Sequence, residues 1–269
     1  VTGDDAPPAP PAGTWCDEAG DPSAPLVALV HGSMDRSSGM LKLSRQLDGR
    51  CRVLRYDRRG YGRSAPHPGP FGMEEQVRDL VTLLAGRPAV VVGHSYGGNV
   101  ALALATRHPE LVLAVSMYET PLSWEPWWPG TTAGAAAVAA GTPEEAAERF
   151  MRRMVGDARW EGLPERTRAQ RLVEGAAMVG ELGDLRASPP WRASDVRVPV
   201  LAGFGSRGSA HHRRGMAHVA ATIEGARLVE LDGCRHDAPL SHPALYATEM
   251  VHPLLDLLDT NVYVKPETP

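Results

Sequence analysis

The chain has 269 residues, 43% hydrophobic and 22% charged, with a net charge of -4. That profile suits one large globular α/β domain or two small ones, and it lacks the basic footprint of a nucleic-acid binder or of a protein drawn to an anionic membrane. Three cysteines, Cys16, Cys51 and Cys234, without C-x-x-C spacing, supply neither a disulfide framework nor a zinc site and fit a reducing cytoplasm.

Residues 1–13, rich in Pro, Ala and Asp, have no apolar periodicity and read as a disordered leader. No basic stretch followed by an apolar one opens the chain, so no signal peptide is expected there, and no apolar run reaches the ~20 residues of a membrane span. The first β-rich run is Leu26–Val30, closed by His31-Gly32; the second is Arg52–Tyr56, closed by Asp57 and a Gly-rich loop. Met73, Val77, Leu80, Val81 and Leu84 then fall on one helix face. Further strand-like runs cover 89–92, 113–117, 198–202 and 227–231. Continuous Val/Leu/Ala runs suit strands buried on both faces of a parallel sheet. Pro243 opens a C-terminal helix bearing Leu245, Val251, Leu254, Leu255 and Leu258. The alternation predicts an α/β fold, a doubly wound and mostly parallel sheet formed by residues 14–119 and 193–259. The polar stretch 260–269 reads as an irregular tail.

Residues 120–192 break the alternation. Thr142-Pro143-Glu144-Glu145 is a capping box with Pro at the first helical position, opening a helix to about Val155, and a second helical stretch covers 165–179. This predicts a helical insertion placed as a lid, the alternative being a plain helical extension away from any site.

The chemistry centres on Gly93-His94-Ser95-Tyr96-Gly97-Gly98, which follows a strand directly and opens a small-residue helix. A serine between glycines at that junction sits on a strained turn, its hydroxyl pushed out at the carboxyl end of the sheet. Unpaired N–H groups and the dipole at the helix start favour negative charge there.

Together with His31-Gly32-Ser33 and Asp57-Arg58-Arg59-Gly60-Tyr61-Gly62-Arg63-Ser64, this motif resembles the signatures of the α/β-hydrolase fold family, in that family's order, over roughly residues 24–259. The resemblance implies Ser95 as nucleophile and His236, in Gly233-Cys234-Arg235-His236-Asp237, as general base. It also implies an oxyanion hole from the N–H groups of Tyr96 and Ser33, with Met34 as the alternative to Ser33. The D-R-R-G-Y-G-R-S loop reads as scaffold. Arg235 replaces the small residue the family more often has before this histidine and is expected to point to solvent, the alternatives being that it orients His236 or contacts a substrate carboxylate. The usual acid is missing, because the loop after the 198–202 strand reads Gly203-Phe204-Gly205-Ser206-Arg207-Gly208-Ser209-Ala210. Glu119, just past the 113–117 strand, is the candidate, as in family variants that carry their acid there. His211-His212 invites a metal reading, but no carboxylate or cysteine pattern in the sequence supports it, so a polar loop or helix start is expected.

The expected activity is hydrolysis of a small to medium apolar ester or lactone through an acyl-Ser95 intermediate. Carbon–carbon bond hydrolysis, haloperoxidase-like perhydrolysis and amidase activity stay open on the same fold, as does a non-catalytic receptor, which the missing acid would favour. Trp124, Trp127, Trp128, Met151 and Met154 in the insertion, with Met34, are the expected pocket residues. No cofactor and no metal are expected, and no nucleic-acid or membrane partner.

Overall fold

Side chains alternate between the two faces of a strand, so an unbroken apolar strand needs cover on both sides. The computed structural model describes residues 13–259; the tail at 260–269 and all of the expected leader except Gly13 lie outside the described residues. Among the described residues seven strands form one sheet: β1 (Cys16–Ala19), β2 (Leu26–Val30), β3 (Arg52–Tyr56), β4 (Ala89–His94), β5 (Val112–Tyr118), β6 (Val200–Gly205) and β7 (Arg227–Leu231). Their spatial order is β1-β3-β2-β4-β5-β6-β7. All neighbours are parallel except β1, which runs antiparallel to β3.

Helices cover both faces. In chain order they are α1 (Leu41–Gln46), α2 (Met73–Leu84), α3 (Tyr96–Arg107), α4 (Ala133–Val138), α5 (Pro143–Val155), α6 (Asp157–Glu161), α7 (Glu165–Val173), α8 (Gly175–Ala187), α9 (Ala210–Thr222), α10 (Ala238–Ser241), α11 (Pro243–Tyr246) and α12 (His252–Asp259). Leu26, Ala28, Val30 and Val91 pack with Val77 and Leu80 of α2 and Val100 and Leu104 of α3. Val27, Leu29, Val90 and Val92 face the other way, onto Leu43 of α1, Tyr246 of α11 and Leu254 of α12. The two-sided burial read from the sequence holds along β2 and β4, at about 1.5–3 kcal/mol per large apolar side chain, but not along β7, where only Leu231 is buried and Leu228 is exposed.

Residues 120–192 contain no strand among the described residues, only α4 to α8. Thr142 caps α5 as expected, its hydroxyl oxygen accepting from Glu145 N–H at 3.2 Å. Three elements differ from expectation. β1 is a short polar edge strand, C-D-E-A, with no apolar pattern to betray it. The 165–179 stretch is two helices broken at Glu174, whose buried carboxylate accepts from Arg36 Nε at 2.8 Å, Gly62 N–H at 2.9 Å and Arg171 at 3.0 Å. The C-terminal helix widens into a π-type turn at Ala247–Val251, where Pro253 has no N–H to give the carbonyl four residues back. No described helix is long and apolar enough to cross a membrane.

Candidate active site

The strand order reverses between β2 and β4, the place where open α/β sheets hold ligands, beyond the carboxyl ends of the strands. Glycine is required at the β4–α3 junction for steric reasons. A Cβ on Gly97 would lie 2.2 Å from Val30 O, and one on Gly93 would lie 2.4 Å from Gly97 O. Between them Ser95 takes φ 53° and ψ −124°, a strained conformation of the kind that costs about 1–3 kcal/mol. Its N–H donates to Tyr118 O at 2.9 Å, tying the turn to β5. Tyr96 then begins α3, so its N–H has no partner within the helix.

The loop after β2 closes on this turn. A Cβ on Gly32 would fall 2.9 Å from Ser95 Cβ. The N–H groups of Ser33 and Met34 meet no acceptor among the described residues, and Met34 is held at φ 56°. Ser33 Oγ donates to Glu181 Oε1 of α8 at 2.6 Å. Glu181 also accepts from Tyr61 at 2.6 Å and pairs with Arg58 at 2.5 Å, both ion-pair side chains fully buried. Arg58 in turn donates to His31 O at 3.0 Å and Gly32 O at 3.1 Å, and Arg59 pairs with Asp79 at 2.6 Å. The D-R-R-G arginines hold loops, as the sequence suggested.

Glu119 leaves the sheet beside Ser95, because His94 pairs with Tyr118 in the β4–β5 register. It is fully buried, at φ 45°. Its Oε1 accepts from Gly205 N–H at 3.1 Å, and its Oε2 accepts from His236 Nδ1–H at 2.8 Å. The loop after β6 has no carboxylate and is shaped around this one: a Cβ on Gly208 would sit 2.0 Å from Glu119 Oε1. Two more bonds fix the His236 loop. His94 Nε2–H donates to His236 O at 2.7 Å, and Tyr118 OH donates to Arg235 O at 2.9 Å. With Nδ1–H given to Glu119, His236 keeps a free lone pair on Nε2.

The sequence missed one neighbour. His212, in the first turn of α9, has Nδ1 3.1 Å from Glu119 Oε2 and 2.9 Å from Ser209 Oγ. Its ring stacks on His236, with centroids 4.9 Å apart and planes 10° apart. The helix start was expected, but the absence of a carboxylate near this histidine is corrected: Glu119 arrives from a distant strand. Glu119, His212 and His236 offer ligand atoms within 4.8 Å of one another and could hold a metal ion. An ion there would take the same atoms that make the histidine–carboxylate bond.

Burial opposes ionisation of Glu119, yet the bonds from His212 and His236 outweigh it and hold the carboxyl far below its ordinary value. Burial pulls the His236 imidazole down, against the opposing pull of Glu119. It lowers His212 as well, and takes His94 to about 4.

Ser33, Ser95, Glu119 and His236 all border one cavity of about 340 Å³. Trp128 and Met154 line it, with Phe150 and Leu182, which the sequence did not single out. Met34, Trp124, Trp127 and Met151 are not in its wall, which corrects four expected pocket residues. Met34 and Met151 are buried in the core, Trp124 stacks edge-on against Trp191 at 5.5 Å, and Trp127 lies under Arg214 at 4.3 Å. The bulk of Trp124, Trp127 and Met151 packs the 120–192 segment against the core.

Comparison with known proteins agrees with the fold. Rhodomycin D methylesterase DnrP of Streptomyces peucetius is 29% identical over 88% of this chain and 94% of its own length. A Caulobacter segnis protein named for carbamate hydrolysis is 42% identical over 32% of this chain, and the match spans only 34% of that protein. A solved hydrolase from Pseudomonas aeruginosa superposes with a TM-score of 0.67 at 26% identity, covering 87% of this chain and 93% of its own. Residues 27–249 match the sequence model described as the alpha/beta hydrolase family, and with that span the chain belongs to the α/β hydrolase family and is a hydrolase.

Proposed function

We propose that this hydrolase works through Ser95, cleaving a small to medium ester or lactone with apolar flanks by way of an acyl-enzyme. The single observation carrying the reading is the 2.8 Å bond from His236 Nδ1 to the buried Glu119 carboxylate, with the strained Ser95 in the wall of the same cavity. Ser95 Oγ attacks the carbonyl carbon while its proton passes to His236 Nε2. Glu119 holds the tautomer and stabilises the imidazolium. The oxyanion lies against the N–H groups of Tyr96 and Ser33, each such donor typically worth ~10²–10³ in turnover. Collapse expels the alcohol, which takes the proton from His236, and water then releases the acid by the same route.

The substrate class draws support from the cavity, whose volume of about 340 Å³ is at the small end for ligand sites. Trp128, Phe150, Met154 and Leu182 give it an apolar side. Residues of α4, α5 and α8 form part of its wall, so the 120–192 segment acts as a cover over Ser95. A methylesterase among the relatives points to the same bond type.

A fluorophosphonate probe and p-nitrophenyl esters of rising chain length test the reading. The wild-type protein should label and turn over the shorter esters, and Ser95→Ala should do neither while keeping its fold. Glu119→Gln should lower kcat by roughly 10⁴-fold, as a wrong-tautomer substitution does. Wild-type turnover by Ser95→Ala would sink the assignment.

A further inference from the structure

The chain carries a net charge of -4, yet the cavity beside Ser95 is lined by Arg153, Arg186, Arg207 and Arg235, with Glu119 as its one carboxylate among the described residues. Glu119 is already engaged, by Gly205 N–H and by His236. Arg153, Arg207 and Arg235 are exposed, and water pays their solvation. Arg186 is placed differently. It sits in the last turn of α8, half-buried, and its one hydrogen bond among the described residues runs from Nη1 to Leu182 O, a turn back, at 2.9 Å. No carboxylate pairs with it among the described residues. Every other buried or half-buried arginine there has one within 4.0 Å, Arg36 and Arg171 on Glu174, Arg58 on Glu181 and Arg59 on Asp79 among them.

A guanidinium drawn out of water without a counter-charge is costly, and burial pulls Arg186 below its ordinary range with nothing to offset it. The fold nonetheless makes room for it in the wall. A Cβ on Gly134 of α4 would lie 3.3 Å from Arg186 Nη2, and Gly134 itself borders the cavity. A planar fork of donors with one unused side matches a carboxylate, and the exposed arginines at the rim add a field that draws anions in.

We infer that Arg186 is an anion subsite and that the ester cleaved at Ser95 carries a carboxylate, seated on the Arg186 guanidinium. This rests on the Ser95 reading and adds the charge of the substrate to it. The apolar wall then holds the chain between the two ends.

Monomethyl glutarate and methyl valerate, of equal chain length, differ chiefly in that carboxylate. In the wild type, at low salt, kcat/KM for the half-ester should exceed that for the neutral ester by ~10- to 100-fold, the size of a charge-assisted hydrogen bond. Arg186→Gln should collapse this ratio towards one, chiefly through KM, and Arg186→Lys should restore part of it. A wild-type ratio near one, or a ratio that survives Arg186→Gln, overturns the subsite. Calorimetry supplies a readout without turnover: glutarate should bind Ser95→Ala at least ~10-fold more tightly than it binds Ser95→Ala/Arg186→Gln. Equal or undetectable binding by the two overturns the subsite. Glutarate binding through Arg186 with no turnover of either ester upholds the subsite and sinks the Ser95 hydrolysis reading, whereas turnover without discrimination does the reverse.

Discussion

Glu119 Oε2 lies 2.8 Å from His236 Nδ1 and 3.1 Å from His212 Nδ1, so one carboxylate oxygen faces two stacked imidazoles. A positive charge on either ring works against a charge on the other. His212 accordingly helps to keep His236 below its ordinary value, after burial itself. In the proposed mechanism His236 is neutral when it takes the Ser95 proton, so the acid limb of kcat/KM should fall below pH 6.5, the ordinary imidazole value. Removing the neighbour with His212→Gln lifts that repulsion, and the midpoint of the acid limb should move to higher pH. A pH–rate profile of the two proteins decides it, and an unmoved midpoint would show that His212 only packs. Glu119 was legible in the sequence because its cue is local: a carboxylate one residue past a strand end, and a Gly-rich loop without one. His212 and Arg186 were not legible, since their meaning depends on which carboxylates the fold brings near, or keeps away.

Helix α8 is the element that joins the 120–192 segment to the loops after β2 and β3. Its Glu181 carboxylate accepts from Ser33, Tyr61 and Arg58 at once, so the loop that carries Ser33 is braced by a helix far along the chain. Glu174, at the N-cap of α8, pairs with Arg36 and Arg171 and accepts from Gly62 N–H. These buried pairs fix α8 more firmly than α5, whose ion pairs Arg149–Glu145 and Arg152–Glu148 are accessible to solvent. Glu181→Gln keeps the shape but leaves the Arg58 charge buried without its counter-charge, which costs about 3–5 kcal/mol. Urea unfolding should show a loss of that size, and kcat should fall with it as Ser33 loses its brace. A variant as stable as the wild type would mean that Arg58 finds another partner. Alternating strands and helices, the capping box and the strand–Gly–helix junction were all readable at this scale, being set by local periodicity and turn sterics. Trp128 and Met154 of 120–192 do border the cavity, but Trp124, Trp127 and Met151 were misread because composition reveals that a segment is apolar, not which face it turns to a cavity.

Across the whole molecule the histidines set the response to acid. His31, His94, His212 and His236 all have folded-state values lowered first by burial. Two of them are structural bolts: His31 Nδ1–H donates to Gly32 O at 2.7 Å while its Nε2 accepts from Arg58 N–H at 2.9 Å, and His94 holds the His236 carbonyl. Below pH 6.5 the unfolded chain protonates its histidines while the folded chain resists. Their contribution is therefore complete above that value and is lost as pH falls, at about 1.4 kcal/mol per pH unit for each histidine that stays neutral. Glu119 acts in the same direction further down: its folded value is depressed, so its contribution is present above 4.5 and fades below. Asp35, raised by burial, opposes them in the carboxylate range. Stability should thus begin to decline between pH 6.5 and 5, above the range where most carboxylates titrate. Urea midpoints or Tm measured in half-unit steps from pH 8 to 5 give the protons taken up on unfolding directly from the slope. An uptake of two or more near pH 5.5 is the expected result, and a flat profile from pH 7 to 5 would mean that these histidines reach water in the folded protein.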